Sequence, residues 1–216
     1  MKRHWVIVAL ASVVLIGAVT LVGTERKNRQ LAKRAVAYRV RAERGDAKAQ
    51  YALGWMYYSG KGLPKDYVEA ARWYGKSAEQ GNSKAQLTLG WMYYNGKGLP
   101  KDYVEAVRWY RKSAEQGDAE AQYSLGIIYF RGEGVPEDEG EAARWYRKSA
   151  EQGYPQAQYD LGYMYYYGYG VQRDRVQAGD LFQQAASHGN DDAKRALECD
   201  RKGISIDPGA GLRGLQ

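Results

Sequence analysis

The chain has 216 residues, 44% of them apolar and 26% charged, which is enough apolar matter for a sizeable buried core. Its formal charge of +7 is concentrated at the start: Met1–Arg44 holds 10 Lys/Arg and 2 Asp/Glu, a net of +8, whereas the rest holds 22 and 23, a net of −1. A nucleic-acid-binding fold needs its cations on the folded surface, where they neutralise phosphates, so nucleic acid is excluded as the expected partner. Cys199 is the only cysteine and His4 and His188 the only histidines, so an intramolecular disulfide is ruled out, and neither a metal nor a cofactor is expected.

Met1–His4 precedes an uncharged run of nineteen residues, Trp5–Gly23. As a helix this run is about 28 Å long at about 1.5 Å per residue, enough to cross a bilayer. Cleavable signals have a shorter apolar core of about 7–15 residues and small residues at the cut, and Ala9 and Ala11 lie too early for that. Residues 1–24 therefore predict an uncleaved anchor, with a cleaved signal as the alternative, and hence a single-pass inner (plasma) membrane protein. Lys2 and Arg3 on one flank and Arg26, Lys27, Arg29, Lys33 and Arg34 on the other give opposing cues to sidedness. The second cluster reads equally as a headgroup contact or as a solvated helical linker.

Within the basic linker 25–45, Tyr38 and Ala42 match Tyr74 and Ala78 downstream, which predicts a capping helix from about Arg29 to Arg44. Four copies of a 36-residue unit follow without insertion: 46–81, 82–117, 118–153 and 154–189. A fixed period of this size marks a stacked helical array. Each copy divides into two helices. The first begins at Asp46, Asn82 or Asp118, which cap free amides, or at Pro155 in the fourth copy. It ends at Gly60, Gly96, Gly132 and Gly168, where glycine takes up a left-handed backbone at little cost. The second helix begins with Asp66-x-x-Glu69, Asp102-x-x-Glu105, Asp138-x-x-Glu141 and Asp174-x-x-Gln177, which read as capping boxes. It stops at Gly81, Gly117, Gly153 and Gly189. Residues 190–203 are a fading fifth copy and 204–216 a loose tail without period.

These acidic starts explain carboxylates that could be mistaken for catalytic ones. Gly60-Lys61-Gly62 lacks the Ser or Thr and the preceding strand that a phosphate loop requires. Neither histidine is placed beside a nucleophile, so no enzyme is expected. Ala49, Leu53 and Tyr57 recur at four-residue spacing and face the partner helix, while Gly54, Gly90, Gly126 and Gly162 admit a close neighbour. Trp73, Trp109, Trp145 and Leu181 place a bulky anchor on the second helix beside Ala70, Ala106, Ala142 and Ala178. Glu69, Arg72, Lys76 and Glu79, with their counterparts, form a solvated outer face.

A second stripe on the first helices exceeds what the hairpin can bury. It comprises Tyr51, Trp55 and Tyr58; Leu87, Trp91 and Tyr94; Tyr123, Ile127 and Phe130; and Tyr159, Tyr163 and Tyr166. The fourth copy adds Tyr154, Tyr165, Tyr167 and Tyr169, and is expected to make the strongest contact. Aromatic rings at such positions are typical binding hot spots; the alternative is that they pack only on neighbouring first helices.

The core A-x-x-x-L-G-x-x-Y-x-x-G-x-G followed by D-x-x-x-A-x-x-W/L-x-x-x-A-x-x-G resembles the Sel-one-like repeat family, relatives of tetratricopeptide repeats, over about residues 37–203. The resemblance implies an all-α, α/α superhelical solenoid of about four helix hairpins with capping helices, the first helices lining a concave groove for partner proteins. It implies a bacterial envelope adaptor, and gives a lean towards a periplasmic repeat region. Some members are similar to immunity proteins that neutralise secreted effectors. A cysteine-rich subgroup is linked to penicillin binding, but this chain lacks its two cysteines per copy. The expectation is thus a membrane-tethered scaffold or adaptor holding a protein or peptide partner in an aromatic groove, with an immunity or inhibitor protein as the alternative.

Overall fold

The structure, a computed structural model, describes residues 30–206. Among these it is all-helical. Helix α1 covers 30–43. The first-type helices are α2 (Ala47–Ser59), α4 (Ser83–Asn95), α6 (Ala119–Arg131) and α8 (Pro155–Tyr167). The second-type helices are α3 (Tyr67–Glu79), α5 (Tyr103–Glu115), α7 (Glu139–Glu151) and α9 (Arg175–Ser187), and α10 (Asp191–Arg201) closes the series. The chain divides into two compact units, Met1–Ser77 and Ala78–Gln216.

The localisation expected from the amino terminus is corrected. Among the described residues no helix is long and apolar enough to cross a membrane. Helices α2 to α9 have 13 residues each, about 20 Å at about 1.5 Å per residue against a hydrocarbon layer of about 30 Å. A single-pass inner-membrane protein is therefore not supported, and the expected anchor Trp5–Gly23 lies outside the described residues, as does 207–216.

Local chemistry explains each boundary. The side chains of Asp46, Asn82 and Asp118 accept from the amides of Ala49, Ala85 and Ala121, and Tyr154 offers no cap because Pro155 opens its helix. Gly60, Gly96, Gly132 and Gly168 end the first-type helices in the left-handed region. The capping boxes are half formed. Asp102 and Asp138 do accept from the amides of Glu105 and Glu141. Their own N–H groups, however, donate to the carbonyls of Tyr93 (3.0 Å) and Tyr129 (2.9 Å), which closes the loop. Glu105 and Glu141 instead pair with Arg108 and Arg144 at 3.0 Å on the exposed face.

The glycine of the second loop position has two duties. Gly134 and Gly170 lie at φ +75° and +61°, and a Cβ there would sit 2.6 Å from the backbone of Tyr103 and 2.2 Å from that of Glu139. Each loop therefore rests on the start of the preceding second-type helix, where no side chain can be accommodated. Inside the hairpin, Gly90, Gly126 and Gly162 lie against the rings of Tyr110, Tyr146 and Phe182, with a Cβ at 2.9, 2.5 and 2.9 Å; Gly54 lies likewise against Tyr74 at 2.8 Å. The ring admitted by each glycine is thus the residue after Trp73, Trp109, Trp145 and Leu181, which are themselves buried.

Candidate partner-binding face

In the first unit the stripe residues of α2 are half-covered by their own hairpin. Tyr51 packs on Tyr74 with ring centroids 5.4 Å apart, and Tyr58 meets Tyr67 edge-on at 5.2 Å. Trp55 remains 41% exposed, with the Lys61 ammonium 5.1 Å from its ring centre.

In the second unit α4 and α6 bring Trp91, Tyr94, Asn95, Ile127 and Arg131 around a hollow of about 370 Å³, floored by Tyr110. Trp91 is 39% exposed, while Leu87, Tyr94, Tyr123, Ile127 and Phe130 are half-buried. The floor is rigid because Tyr110 is wedged against Gly90. At the rim the Tyr94 hydroxyl donates to Glu133 Oε2 at 2.6 Å and receives Arg131 Nη1 at 3.5 Å. Burial, with the Glu133 hydrogen bond added, pushes the Tyr94 hydroxyl up to about 12, so it stays a donor at any physiological pH. Asn95 Nδ2 is bonded to the Trp91 carbonyl at 2.9 Å. An aromatic plate and an aliphatic side chain thus face outward beside a fixed polar rim.

The fourth copy departs from expectation. Tyr159, Tyr163 and Tyr166 are only 3%, 1% and 6% exposed, so the stripe of α8 is enclosed by the chain itself and is not the open contact surface anticipated. Tyr167 is half-buried, and its hydroxyl donates to the Ile206 carbonyl. The covering pieces are Ala193 and Ala196 of α10 and Ile206, all in the same buried cluster. Within the tail expected from residue 204 onward, Ile206 is buried whereas Ile204 and Ser205 are exposed.

Between α6 and α8 lies a polar centre that the sequence reading did not single out. The Tyr123 hydroxyl donates to Asp160 Oδ2 at 3.0 Å, and Asp160 is buried. Burial pushes the Asp160 carboxyl up to about 7, opposed by the Tyr123 hydrogen bond and aided by Asp192. Burial also raises Tyr123 and Tyr146, each with Asp160 adding to the effect, and among the described residues the Tyr146 hydroxyl has no hydrogen-bond partner. Asp160 occupies the position held by Ala52, Thr88 and Ser124 in the other copies, so its divergence was readable; its burial was not.

Buried glutamines were also passed over. Gln86, Gln122 and Gln158 donate to the carbonyls of Ala78, Ala114 and Ala150 at 3.0, 3.1 and 3.2 Å, and Gln50 does the same to Ala42 at 3.0 Å. Their oxygens accept from Gln116 (2.6 Å) and Gln152 (2.8 Å), while in the fourth copy His188 Nδ1 lies 3.0 Å from Gln158. His188 is thus a structural stand-in for glutamine. The invariant Ala-Gln pair at residues 49–50, 85–86, 121–122 and 157–158 was the available signal.

The pattern described as the Sel1 repeat matches residues 47–82, 83–118, 119–154 and 155–190. The chain belongs to the Sel1 repeat family. Sel1 repeat proteins are in general protein-interaction scaffolds without a catalytic role. Among solved structures, this Sel1 repeat chain is similar to c5321, a protective antigen of uropathogenic Escherichia coli strains with an SLR fold. The identity is 38% and the TM-score 0.77, over 82% of this chain and 38% of that one. A Sel1 repeat protein from Oxalobacter formigenes is 40% identical with a TM-score of 0.70, over 76% of this chain and 66% of its own. Cysteine-rich protein B of Helicobacter pylori is 27% identical with a TM-score of 0.51, over 62% of this chain and 96% of its own. The chain therefore spans less than two thirds of the first two relatives. No curated protein matches it.

Proposed function

We propose that this protein is a non-enzymatic scaffold or adaptor that holds a segment of a partner polypeptide on its first-type helices, with the hollow between α4 and α6 as the principal seat. One observation carries the reading: Trp91 stands 39% exposed at the rim of a preformed hollow of about 370 Å³. The ring does not stand alone on the surface but borders a hollow lined also by Ile127 and Ile128. Binding energy at protein interfaces concentrates on such anchors, set in rigid pockets and rimmed by polar groups. Ile127 supplies the opposing aliphatic surface, and the Arg131 guanidinium offers donors that orient a main chain or a carboxylate, while the Tyr94 proton is committed to Glu133. Trp55, 41% exposed on α2, provides a second anchor of the same kind within its own unit.

The test is cross-linking and co-purification from native extracts, comparing the wild type with a Trp91→Ala/Ile127→Ala double variant and mapping cross-links by mass spectrometry. A partner joined near residues 91–95 and lost at least tenfold in the variant is the expected result. Equal recovery of the same partners by two folded proteins would end the proposal.

A further inference from the structure

The fourth copy carries the stripe registers of the second and third but closes them. Tyr163 stands where Trp91 and Ile127 stand, Tyr166 where Tyr94 and Phe130 do, and Tyr167 where Asn95 and Arg131 form the rim of the hollow. What lies over this wall is a short piece of the chain itself. After α10, Gly203 at φ +67° turns the backbone, and the Ile204 amide donates to the Cys199 carbonyl at 2.9 Å. Beyond that turn no helix continues through Ile206. Ile204 is 54% exposed, whereas Ile206 is 3% exposed and joins the cluster of Tyr159, Tyr163 and Tyr166. The Tyr167 hydroxyl bonds the Ile206 carbonyl and lies 3.2 Å from Ser205 Oγ.

We propose that the ring wall of the fourth copy is a seat for a non-helical peptide with an aliphatic anchor, and that Ser205–Ile206 of this chain occupy it as a displaceable cover. The occupant shows the chemistry the wall accepts. One β-branched side chain is buried in the same cluster as the rings, and the Tyr167 hydroxyl takes the backbone carbonyl of that residue. Tyr163, Tyr167 and Tyr169 lie within 4.7–6.1 Å of one another, an uncharged aromatic cluster of the kind that accommodates an aliphatic group. The attachment is slight. Among the described residues it consists of one aliphatic side chain, one hydroxyl–carbonyl bond and one hydroxyl–hydroxyl contact at the end of an eleven-residue helix, and the ordering of the segment offsets much of that gain. A partner segment with a small hydroxylated residue before a β-branched one can make the same contacts as the cover, but has the cover's local concentration advantage to overcome. For the class of ligand this rests on the groove reading above.

The experiment uses full-length protein and a fluorescein-labelled peptide of this chain's residues 202–210, followed by fluorescence anisotropy. An Ile206→Asp protein, with its own cover expelled, is expected to bind the peptide at least tenfold more tightly than the wild type, and a peptide carrying the same Ile206→Asp change should not compete. Equal binding by the two folded proteins overturns the proposal. Because the variant could lose its fold, hydrogen exchange on the wild type supplies an independent arm. The amides of Ser205 and Ile206 should exchange at least tenfold faster than those of α8; exchange only together with α8 rules out a displaceable cover. The two proposals fail separately. Peptide binding here alongside unchanged partners in the Trp91→Ala/Ile127→Ala protein faults the hollow alone, and the reverse faults this seat alone.

Discussion

The third and fourth copies present the same face to opposite effect. Tyr123, Ile127 and Phe130 of α6 are half-buried, whereas Tyr159, Tyr163 and Tyr166 of α8 are nearly inaccessible. Side-chain type does not explain this, because the fourth copy is the richer in rings. Position in the array does. A copy inside the array is covered by the next full copy, but among the described residues the last one is followed by a single helix, α10, whose buried residues are Ala193 and Ala196, and by the short run to Ile206. Small residues leave volume unfilled, and Ile206 together with the rings Tyr167 and Tyr169, which the other copies lack at these positions, takes it up. Terminal repeats of stacked arrays must solve this problem with atypical sequence. A dense aromatic patch at such a terminus is therefore first a core, and the sparser stripe in the interior is the surface on offer.

The largest expected effect breaks that comparison if it fails. Tyr163→Ala removes a ring that is 1% exposed and should destabilise the protein by about 3–5 kcal/mol. Trp91→Ala removes a larger ring at the matching position, but one already 39% in water, and should cost only about 1–2 kcal/mol. Urea unfolding of the two variants beside the wild type measures both. Similar losses would mean that the two walls are equally structural, and the hollow would lose its standing as a surface kept for a partner.

The asymmetry marks the boundary of what the sequence could tell. Hairpins, caps and glycine contacts were legible because each depends on residues within one copy, and the 36-residue period presents the same local argument four times. The tight glycine at 126 is an example: its need for a close neighbour was legible, although the ring that meets it is Tyr146 rather than the Trp145 anchor that the spacing suggested. The enclosure of Tyr163 was not legible, since it depends on Ile206 returning over α8 from a segment with no period. Asp160 was hidden for a related reason. On its own helix it takes the place of Ser124 and reads as a polar surface substitution, and only the approach of Tyr123 from α6 shows it to be interior. What sequence pattern lacks, then, is knowledge of which neighbour covers a face when that neighbour is not another copy.

Asp160 sharpens the comparison at the border between the open and closed copies. Its folded-state carboxyl titrates at about 7, above the ordinary carboxylate range, chiefly through burial. The folded protein therefore holds a proton that the unfolded chain has released, and stability is greatest below about pH 4 as far as this group is concerned. It falls as pH rises towards 7, by about 1.4 kcal/mol per pH unit at most, reaching a few kcal/mol. The groups facing it, Tyr123, Tyr146, Tyr159, Arg131 and Asp192, do not reverse that sign. Asp160→Asn keeps an acceptor for the Tyr123 hydroxyl and removes the charge. Thermal melts between pH 5 and 8 should show a Tm that declines with pH in the wild type and a flatter profile, higher at pH 8, in the variant. A parallel decline in both would place the titrating group elsewhere.

The smallest effect concerns the rim of the hollow. Tyr94 donates to Glu133 at 2.6 Å and lies 3.5 Å from Arg131 Nη1, so one hydroxyl holds an anion and a cation in place on either side of the opening. Tyr94→Phe keeps the ring, including its edge contact with Tyr103 at 5.1 Å, and deletes only that link. Because the site is half open, water replaces much of the lost bond, and the stability change should be about 0.5–1 kcal/mol. The consequence for binding runs the other way. A rim whose Glu133 is no longer held by the Tyr94 hydroxyl presents that carboxylate in many arrangements, and ordering it again counts against every ligand that needs one arrangement. The Phe variant should therefore lose affinity for a partner captured at Trp91 while melting within a few degrees of the wild type. If affinity and stability instead fell together in proportion, the rim would be acting through the fold, and the openness of the second and third copies would owe nothing to recognition.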